Sequence, residues 1–264
     1  MQARTVQQLF DLHGRTALVT GSSRGLGLQM AHALGEAGAR VMISARKADE
    51  LERAAAELNA AGIDVTTAVA DVSREADVMA LADTALQAFG HVDILVNNAG
   101  ATWGALAEEH PLDAWDKVMN LNVRGLFLLT REIGKRSMIP RRSGKVVNIA
   151  SVAALGGNVK LMQAIGYHTS KGAVLTFTRA LAAEWGRYGI NVNALGPGVF
   201  PSKMANGMID HVGADNIREN IPLNRLGDDE DLKGPLLLLA SDAGKHLSGV
   251  FIPVDGGASA VIAG

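Results

Sequence analysis

Runs of aliphatic and β-branched residues recur along the chain, and each is followed by a longer stretch rich in Ala, Leu and Glu. The runs are TALVT (16–20), ARVMISA (39–45), DVTTAVA (64–70), VDILVNN (92–98), GKVVNIAS (144–151), INVNALG (190–196) and GVFIPVD (249–255). Stretches with helical character lie at about 25–37, 48–61, 74–89, 111–137, 166–187 and 228–243. The nearly unbroken apolar character of the runs suits strands covered on both faces. Strands that alternate with helices must be joined by crossovers, and right-handed crossovers build a parallel sheet wound outward in two directions. The expected fold is therefore α/β, a doubly wound parallel sheet in a single domain over 1–264.

One region breaks the alternation. Residues 199–226, VFPSKMANGMIDHVGADNIRENIPLNRL, mix Pro, Gly, Met and charge and lack the period of a sheet element. The segment follows the sixth strand directly and so leaves the sheet at its carboxyl edge, where ligands bind in such folds. It is expected to be a mobile substrate lid, with an ordinary surface loop as the alternative.

Charged residues make up 20% of the chain and the formal net charge is −2, which provides neither a nucleic-acid footprint nor a polyacidic tail. No apolar run approaches the roughly 18 residues of a membrane span, and the start MQARTVQQLFDLHG lacks the apolar core of a secretion signal. A cytoplasmic protein with no nucleic-acid or membrane partner is expected. Cysteine is absent and the seven histidines show no pair at ligand spacing, so no metal is expected either. Chemistry must come from oxygen and nitrogen groups.

Directly after the first run comes Thr20-Gly21-Ser22-Ser23-Arg24-Gly25-Leu26-Gly27, which opens onto LQMAHALGEAG. Glycines at a strand-to-helix turn let the backbone approach a pyrophosphate, whose charge is met by amide N–H groups at the helix N-terminus. The spacing is GxxxGxG rather than GxGxxG, and a turn that is glycine-rich for steric reasons alone is the competing reading. Its place between the first strand and the first helix predicts a Rossmann-type dinucleotide site. At the end of the second strand, where NAD-binding folds carry an acidic residue for the ribose 2′-hydroxyl, stands Ala45. Arg46 and Lys47 follow it and Arg24 projects from the loop, so three cations unopposed by a carboxylate would surround a 2′-phosphate. NADP(H) is the expected cofactor. Asp49 and Glu50 lie close enough in sequence to keep a solvated basic turn open as the alternative.

Tyr167-His168-Thr169-Ser170-Lys171 begins a segment that continues as GAVLTFTRALAAEW. Residues four apart share a helix face, so the phenol and the ammonium point into one site. A phenol titrating near about 10 moves protons poorly at neutral pH, and a neighbouring cation is expected to lower that value. Tyr167 then serves as acid and base. Ser151 ends the fifth strand just before this helix, where its hydroxyl can hold a substrate oxygen and turn it toward the phenol. Asn97-Asn98-Ala99-Gly100 ends the fourth strand with small polar residues suited to close approach by a cofactor. Taken singly, the Tyr/Lys spacing also fits an amphipathic pair, and the serine and asparagines also fit turn chemistry.

In this order the motifs resemble the classical short-chain dehydrogenases/reductases. The resemblance runs from about Leu12 to Gly257 and takes in TGxxxGxG, Asp71-Val72, NNAG, Asn122 in MNLNVRG, Ser151, YxxxK, Pro197-Gly198 and Val254-Asp255-Gly256-Gly257. It implies that Asn122, Ser151, Tyr167 and Lys171 are catalytic, with Asn122 holding a relay water and Lys171 also holding the nicotinamide ribose. It implies cofactor contacts from Gly21, Ser23, Arg24, Gly25, Leu26 and Gly27, from Arg46 and Lys47, and from Asp71 and Val72 at the adenine. Asn98, Ala99 and Gly100 would line the ribose, and Pro197, Gly198 and Phe200 would border nicotinamide. Ser202 stands where many members carry threonine and can still donate to the nicotinamide amide. Locally, Asn122 also fits a polar residue in mid-helix, Asp71 a helix cap and Pro-Gly a turn. VAALGGNVKLMQAIG, between Ser151 and Tyr167, is longer than usual in the family, which implies a reshaped or covered pocket.

ATWGA and PGVFPSKM are most similar to 3-oxoacyl-acyl-carrier-protein reductases, including the rhamnolipid-pathway type, whereas LFDLHGRTALVTG resembles gluconate 5-dehydrogenases. The expected function is NADP(H)-dependent interconversion of a ketone and a secondary alcohol, with a small-molecule carbonyl or a carrier-bound 3-oxoacyl thioester as substrate. A gluconate or polyol dehydrogenase, and a non-catalytic NADP sensor or scaffold, are the alternatives. Met204, Met208, Ile209 and Val212 would cover an acyl chain, whereas Ser202, Lys203, Asn206 and Lys160 would serve a sugar acid. Arg131, Lys135, Arg136, Arg141, Arg142 and Lys145 would steer an acidic carrier protein, or else form a solvated helix end. The family implies a homotetramer, and Leu121, Leu126, Leu128, Leu175 and Phe177 put apolar groups on more than one face of the long helices.

Overall fold

A computed structural model of the chain describes residues 3–157 and 162–261. The apolar runs become strands β1 (Thr16–Thr20), β2 (Arg40–Ala45), β3 (Val65–Val69), β4 (Ile94–Asn97), β5 (Gly144–Ile149), β6 (Ile190–Pro197) and β7 (Phe251–Val254). All pair in parallel, in the order β3-β2-β1-β4-β5-β6-β7. The chain thus winds outward from β1 in one direction, then returns to β4 and winds outward in the other. The crevice where the winding reverses opens at the carboxyl ends of β1 and β4.

The helices are α1 (Val6–Phe10), α2 (Gly25–Glu36), α3 (Ala48–Ala60), α4 (Glu75–Phe89), α5 (Leu112–Met119), α6 (Leu126–Ile133), α7 (Ile139–Arg141), α8 (Ile165–Trp185), α9 (Asn206–Val212), α10 (Ala214–Glu219) and α11 (Lys233–Ala240). Each face of the sheet has its own core. Leu34, Leu51, Leu58 and Leu236 pack on Val41 and Ile43 on one side, and Leu81, Leu129 and Ile133 pack on Leu95, Val146 and Val192 on the other. Burying each such side chain is worth about 1.5–3 kcal/mol, which is why strands covered twice read as continuous apolar runs.

Within this core a chain of buried polar groups ties two helices to the sheet. Asn97, paired in register with Asn148 across β4 and β5, donates through Nδ2 to Asn148 Oδ1 at 2.9 Å and to Thr130 Oγ1 at 2.9 Å. Asn148 Nδ2 donates in turn to Thr178 Oγ1 at 3.0 Å. Each threonine passes its own proton to a carbonyl one helical turn back, Leu126 O in α6 and Val174 O in α8. The orientation of α8, which carries Tyr167 and Lys171, therefore depends on amides inside the sheet.

Several expectations need correction. The helix anticipated at 111–137 runs from Leu112 to Arg141, with π-helical segments at Asn120–Gly125 and Gly134–Met138. Close packing accompanies both, since a Cβ on Gly125 would lie 2.1 Å from Val72 O and one on Gly134 2.1 Å from the Trp185 ring. The last anticipated helix begins at Lys233 rather than 228, because Arg225 and Asp231 pair across the preceding turn. Leu126, Leu128 and Leu175 are buried within the chain and so offer nothing to a second subunit, whereas Leu112 and Phe127 are exposed.

The basic stretch is largely spent on internal partners. Arg131 pairs with Glu132, Arg136 with Asp83 and Arg141 with Asp93, while Arg142 reaches Arg187 O and Lys145 reaches Asn191. Arg141, Arg142 and Lys145 also flank the amino end of β5, the opposite edge from Ser151. No helix among the described residues is long and apolar enough to cross a membrane.

Asn148→Ala should destabilise the fold by about 1–3 kcal/mol, because it leaves one buried Asn97 amide hydrogen without an acceptor and takes from Thr178 Oγ1 the bond it accepts. A shift of the urea midpoint equivalent to less than about 1 kcal/mol would show that the network is dispensable.

Candidate active site

The glycine loop is clamped to the end of β4. Thr20 Oγ1 accepts from the backbone N–H of Asn98 and of Ala99, both at 3.1 Å, and Asn98 Nδ2 donates to the carbonyls of Thr20 and Gly21 at 2.9 Å. Thr20 and the Asn98 side chain thus join the two arms of the crevice. Thr20, the first residue of the loop motif, therefore has a structural role that the motif's spacing does not show. There is no room for a side chain at Gly21 or Gly27. Gly21 has φ +63° and a Cβ there would meet Ala99 Cα at 2.8 Å, while a Cβ on Gly27 would meet Gly21 O at 2.3 Å.

Helix α2 starts from Arg24 with no side chain capping its first turn, so its leading amides face the crevice without a protein side-chain partner. Free amides plus the helix dipole suit a phosphate, and the tight loop lets one approach the backbone. The residues present fit a dinucleotide.

At the end of β2 the expectation of unopposed cations fails. Glu50, in the first turn of α3, accepts from Arg24 Nη1 at 2.6 Å and from Ser23 Oγ at 3.3 Å, and pairs with Lys47 Nζ at 3.2 Å. Burial of the Glu50 carboxylate works against ionisation, but the bonds from Lys47 and Arg24 outweigh it and hold the group below its ordinary range. Arg46 is less engaged, 4.0 Å from Asp71. Asp71 itself accepts from Ser73 N at 3.0 Å and Ser73 Oγ at 2.7 Å, and Val72 beside it is buried.

At the other end of the crevice, β5 and α8 bring the catalytic candidates together. Lys171 is buried, its Nζ donates to Ile149 O at 2.7 Å, and it lies 5.5 Å from the centre of the Tyr167 ring. Burial pushes the Lys171 ammonium down to about 8. Burial also pushes the Tyr167 phenol above its ordinary value, with a hydrogen bond to Ser151 offsetting part of the rise. The expected lowering of Tyr167 is therefore reversed: desolvation outweighs a cation that is aimed at a carbonyl. Ser151 Oγ accepts from Ala153 N at 3.1 Å, and its one proton has two acceptors in reach, the Tyr167 phenol oxygen and, over a long 3.4 Å, Pro197 O.

Asn122 sits in the first π-helical segment and is buried. Its Oδ1 accepts from Ala101 N at 2.8 Å, and its Nδ2 donates to Ala101 O and to Ser170 Oγ, both at 2.9 Å. Both amide hydrogens are committed, so the side chain fastens α8 to the loop after β4. A Cβ on Gly100 would lie 3.4 Å from Asn122 Oδ1 and 3.6 Å from Lys171 Nζ, so the two side chains flank the same point.

A cavity of about 600 Å³ joins these groups. Of the anticipated residues, Ser151, Tyr167, Lys171, Leu26, Asn98 and Gly100 line it, as do Pro197, Gly198, Phe200 and Ser202 from the end of β6 and beyond. Gly21, Ser23, Arg24, Gly25 and Gly27 form the loop at its side, and Ala99, Asn122, Arg46, Lys47, Asp71 and Val72 stand behind or beyond the lining. Helices α9 and α10 occupy the segment read as a lid. Met204 and Met208 line the cavity while Ile209, Val212, Lys203 and Asn206 do not, and Lys160 lies outside the described residues.

Residues 15–212 match the family model described as short chain dehydrogenase. The chain belongs to the short-chain dehydrogenase family. It is an oxidoreductase by that membership. This short-chain dehydrogenase is 40% identical over 252 residues to a 3-oxoacyl-acyl-carrier-protein reductase of rhamnolipid biosynthesis from Pseudomonas aeruginosa, an alignment covering 94% of this chain and 97% of the relative. It is 37% identical over 250 residues to a gluconate 5-dehydrogenase from Gluconobacter oxydans, covering 94% and 96%. A crystal structure of a gluconate 5-dehydrogenase from Burkholderia cenocepacia in complex with NADP and tartrate superposes with a TM-score of 0.92 at 34% identity, covering 98% of this chain and all of that one.

Lys171 makes the cofactor-free short-chain dehydrogenase less stable than it would otherwise be. An ammonium titrating at about 8 when folded and 10.5 when unfolded destabilises the fold by about 3 kcal/mol below pH 8. The cost is relieved as the pH rises from 8 toward 10.5, because only the unfolded chain then holds the proton. Lys171→Met removes this dependence, so its stability relative to the wild type should fall by about 3 kcal/mol between pH 7 and 10.5 in paired urea titrations. Parallel curves at the two pH values would mean that the ammonium is not desolvated.

Proposed function

We propose that this enzyme uses NADP(H) to interconvert a ketone and a secondary alcohol, and that its substrate is a 3-oxoacyl thioester or another β-keto compound. The observation that carries the substrate class is the wall beyond Tyr167, where Val152, Leu155, Met162, Met204, Met208 and Ile221 face the cavity. Among the described lining residues Lys171 is the only lysine, arginine or carboxylate. Hydroxyls, amides and one imidazole come from Asn98, Thr102, His168, Ser202, Asn220 and Ser259, so what the cavity lacks for a sugar acid is a second cation rather than polar groups. A sugar acid needs a cation for its carboxylate and several polar groups for its hydroxyls, whereas an acyl chain needs adaptable apolar cover.

When bound, the nicotinamide supplies hydride to a carbonyl carbon or takes it from an alcohol. The chain's own residues handle the oxygen. Ser151 exchanges its weak bond to Pro197 O for one to the substrate oxygen and holds it against the phenol. Tyr167 donates its proton to that oxygen in reduction, and its raised pKa keeps the proton in place at neutral pH. Lys171, and a water held near Asn122, return a proton to the phenolate. Loss of that proton leaves the phenolate near the buried ammonium, which is stabilising in a dry site. Oxidation runs the same transfers backward.

In this reading the chain is one domain, and residues 199–226 act as a lid whose Met204 and Met208 close over the acyl group. The adenine-end roles of Arg24, Arg46, Lys47, Asp71 and Val72 belong to the same proposal. A homotetramer is supported by Leu112 and by Phe127, which is exposed on α6 and packs edge-on against Phe177 of α8 with ring centres 6.3 Å apart. A carrier protein as the acyl donor would have to approach the carboxyl edge of the sheet, away from Arg141 and Lys145. A cytoplasmic location goes with this reading, since the cellular NADPH pool drives carbonyl reduction.

Tyr167→Phe should lower turnover by about 10²- to 10⁴-fold while leaving NADPH affinity within a few-fold of the wild type. Near-normal turnover in steady-state assays would remove Tyr167 from the mechanism. For substrate class, NADPH oxidation with acetoacetyl thioester should exceed that with 5-ketogluconate in kcat/KM. An advantage of tenfold or more for the sugar acid would overturn the assignment in favour of a gluconate enzyme.

A further inference from the structure

Glu50 has no part in the proton chemistry, yet two cations beside the crevice converge on it. Its side chain is 15% exposed, whereas those of Arg24 and Lys47 above it are 50% and 62% exposed. Three donors on three different side chains, Arg24 Nη1, Lys47 Nζ and Ser23 Oγ, converge on the one carboxylate within 3.3 Å. Two cations and a hydroxyl arranged in this way are a donor set for a phosphate dianion. The carboxylate is also held from below: Glu50 is the third residue of α3, where the helix dipole favours an anion and no side chain caps the turn.

We propose that Glu50 is a cofactor-selectivity residue, an internal carboxylate that competes with the 2′-phosphate of NADP(H) for Arg24, Lys47 and Ser23 and so narrows the preference over NAD(H). The proposal rests on the NADP(H) assignment above and gives that site a built-in competitor. An incoming phosphate must either displace Glu50 from its donors or sit beside it, and two anions sharing one set of donors repel. NAD(H) presents a hydroxyl in place of the phosphate. A hydroxyl donates, and Glu50 accepts, as an acidic residue at the end of the second strand does in NAD-binding folds. Ala45 holds that place here without a carboxylate, and Glu50 approaches the same region from the next helix. The same group therefore weakens binding of one cofactor and supports the other.

Isothermal titration of the full chain with NADP and with NAD separates the possibilities, using the wild type, Glu50→Gln and Arg24→Ala. Glu50→Gln is expected to tighten NADP binding by roughly 5- to 100-fold, the range for removing a like charge a few ångströms from a partly solvated phosphate. NAD binding should weaken slightly or stay the same. Arg24→Ala should weaken NADP by about 10-fold or more and leave NAD nearly unchanged. Glu50→Ala, with thermal unfolding as the check on folding, covers the case in which the glutamine amide rebuilds the contacts. An unchanged or smaller ratio of NAD to NADP dissociation constants in both Glu50 variants, with Arg24→Ala still weakening NADP, overturns the competitor role alone. NADP affinity that does not respond to Arg24→Ala overturns the phosphate site itself.

Discussion

The hydrogen bonds that tie Thr20 and Gly21 to Asn98 set the geometry on which the rest of the site depends. β1 and β4 are neighbours in the sheet, but their following segments leave on opposite sides, so the backbone must part at this point. Parting exposes peptide groups that the sheet no longer satisfies. Thr20 Oγ1 and Asn98 Nδ2 satisfy four of them across the gap, and in doing so fix the separation of the glycine loop from the Asn98–Gly100 segment. A wider gap would lose the phosphate cradle, and a narrower one would collide at Gly21 and Gly27. Small residues and side-chain amides are required here for one reason, that backbone approaches backbone.

The chemistry is set at the other side of β4 by a different compromise. Lys171 and Tyr167 are placed where their charged forms are disfavoured, and the fold holds them there through the amide and hydroxyl chain from Asn97 to Thr178 and through the Asn122 contact to Ser170. Ground-state burial is unfavourable for each group alone. In the proposed mechanism it becomes useful when a proton leaves the phenol, because the attraction between phenolate and ammonium is strongest where water is absent. Stability surrendered at Lys171 is thus the counterpart of electrostatic leverage in the transfer step.

The sheet and most of its helices were readable because burial on both faces imposes an apolar run that few other elements require. YxxxK, Ser151 and the glycine loop were readable because spacing alone puts them on the right helix face or sheet edge. The failures have a shared physical cause: they concern what lies across space rather than along the chain. Glu50 was visible four residues from Arg46 but its contact with Arg24, twenty-six residues earlier, was not. Leu126, Leu128 and Leu175 put apolar groups on more than one helix face, but helical period shows how many faces are apolar and not which neighbour covers them. The sign of the Tyr167 shift was missed since proximity to a lysine is a sequence inference, whereas desolvation is a property of the finished fold. A signal for α1 was present in Thr5 and Gln8, which form a reciprocal capping box.

Charge is distributed unevenly along the crevice, and this separates its two tasks. At one end Glu50 pairs with Arg24 and Lys47, and Arg46 lies 4.0 Å from Asp71, so in the proposed reading cofactor affinity there is a balance of opposed charges. At the nicotinamide end Lys171 stands among apolar and hydroxyl groups, with Tyr167 and Ser151 as its polar neighbours. Lys171 and Ser151 are buried there while Tyr167 is half-buried at the cavity, and the apolar wall beyond it provides the surface an acyl chain would cover. In the proposed reading binding and turnover fall under different electrostatic regimes, solvated ion pairs in one place and a buried ammonium in the other. Substitutions at the first end should move cofactor affinity and choice with little effect on the proton-transfer step, because the glycine loop and β4 intervene and the charges at that end are already paired and solvated.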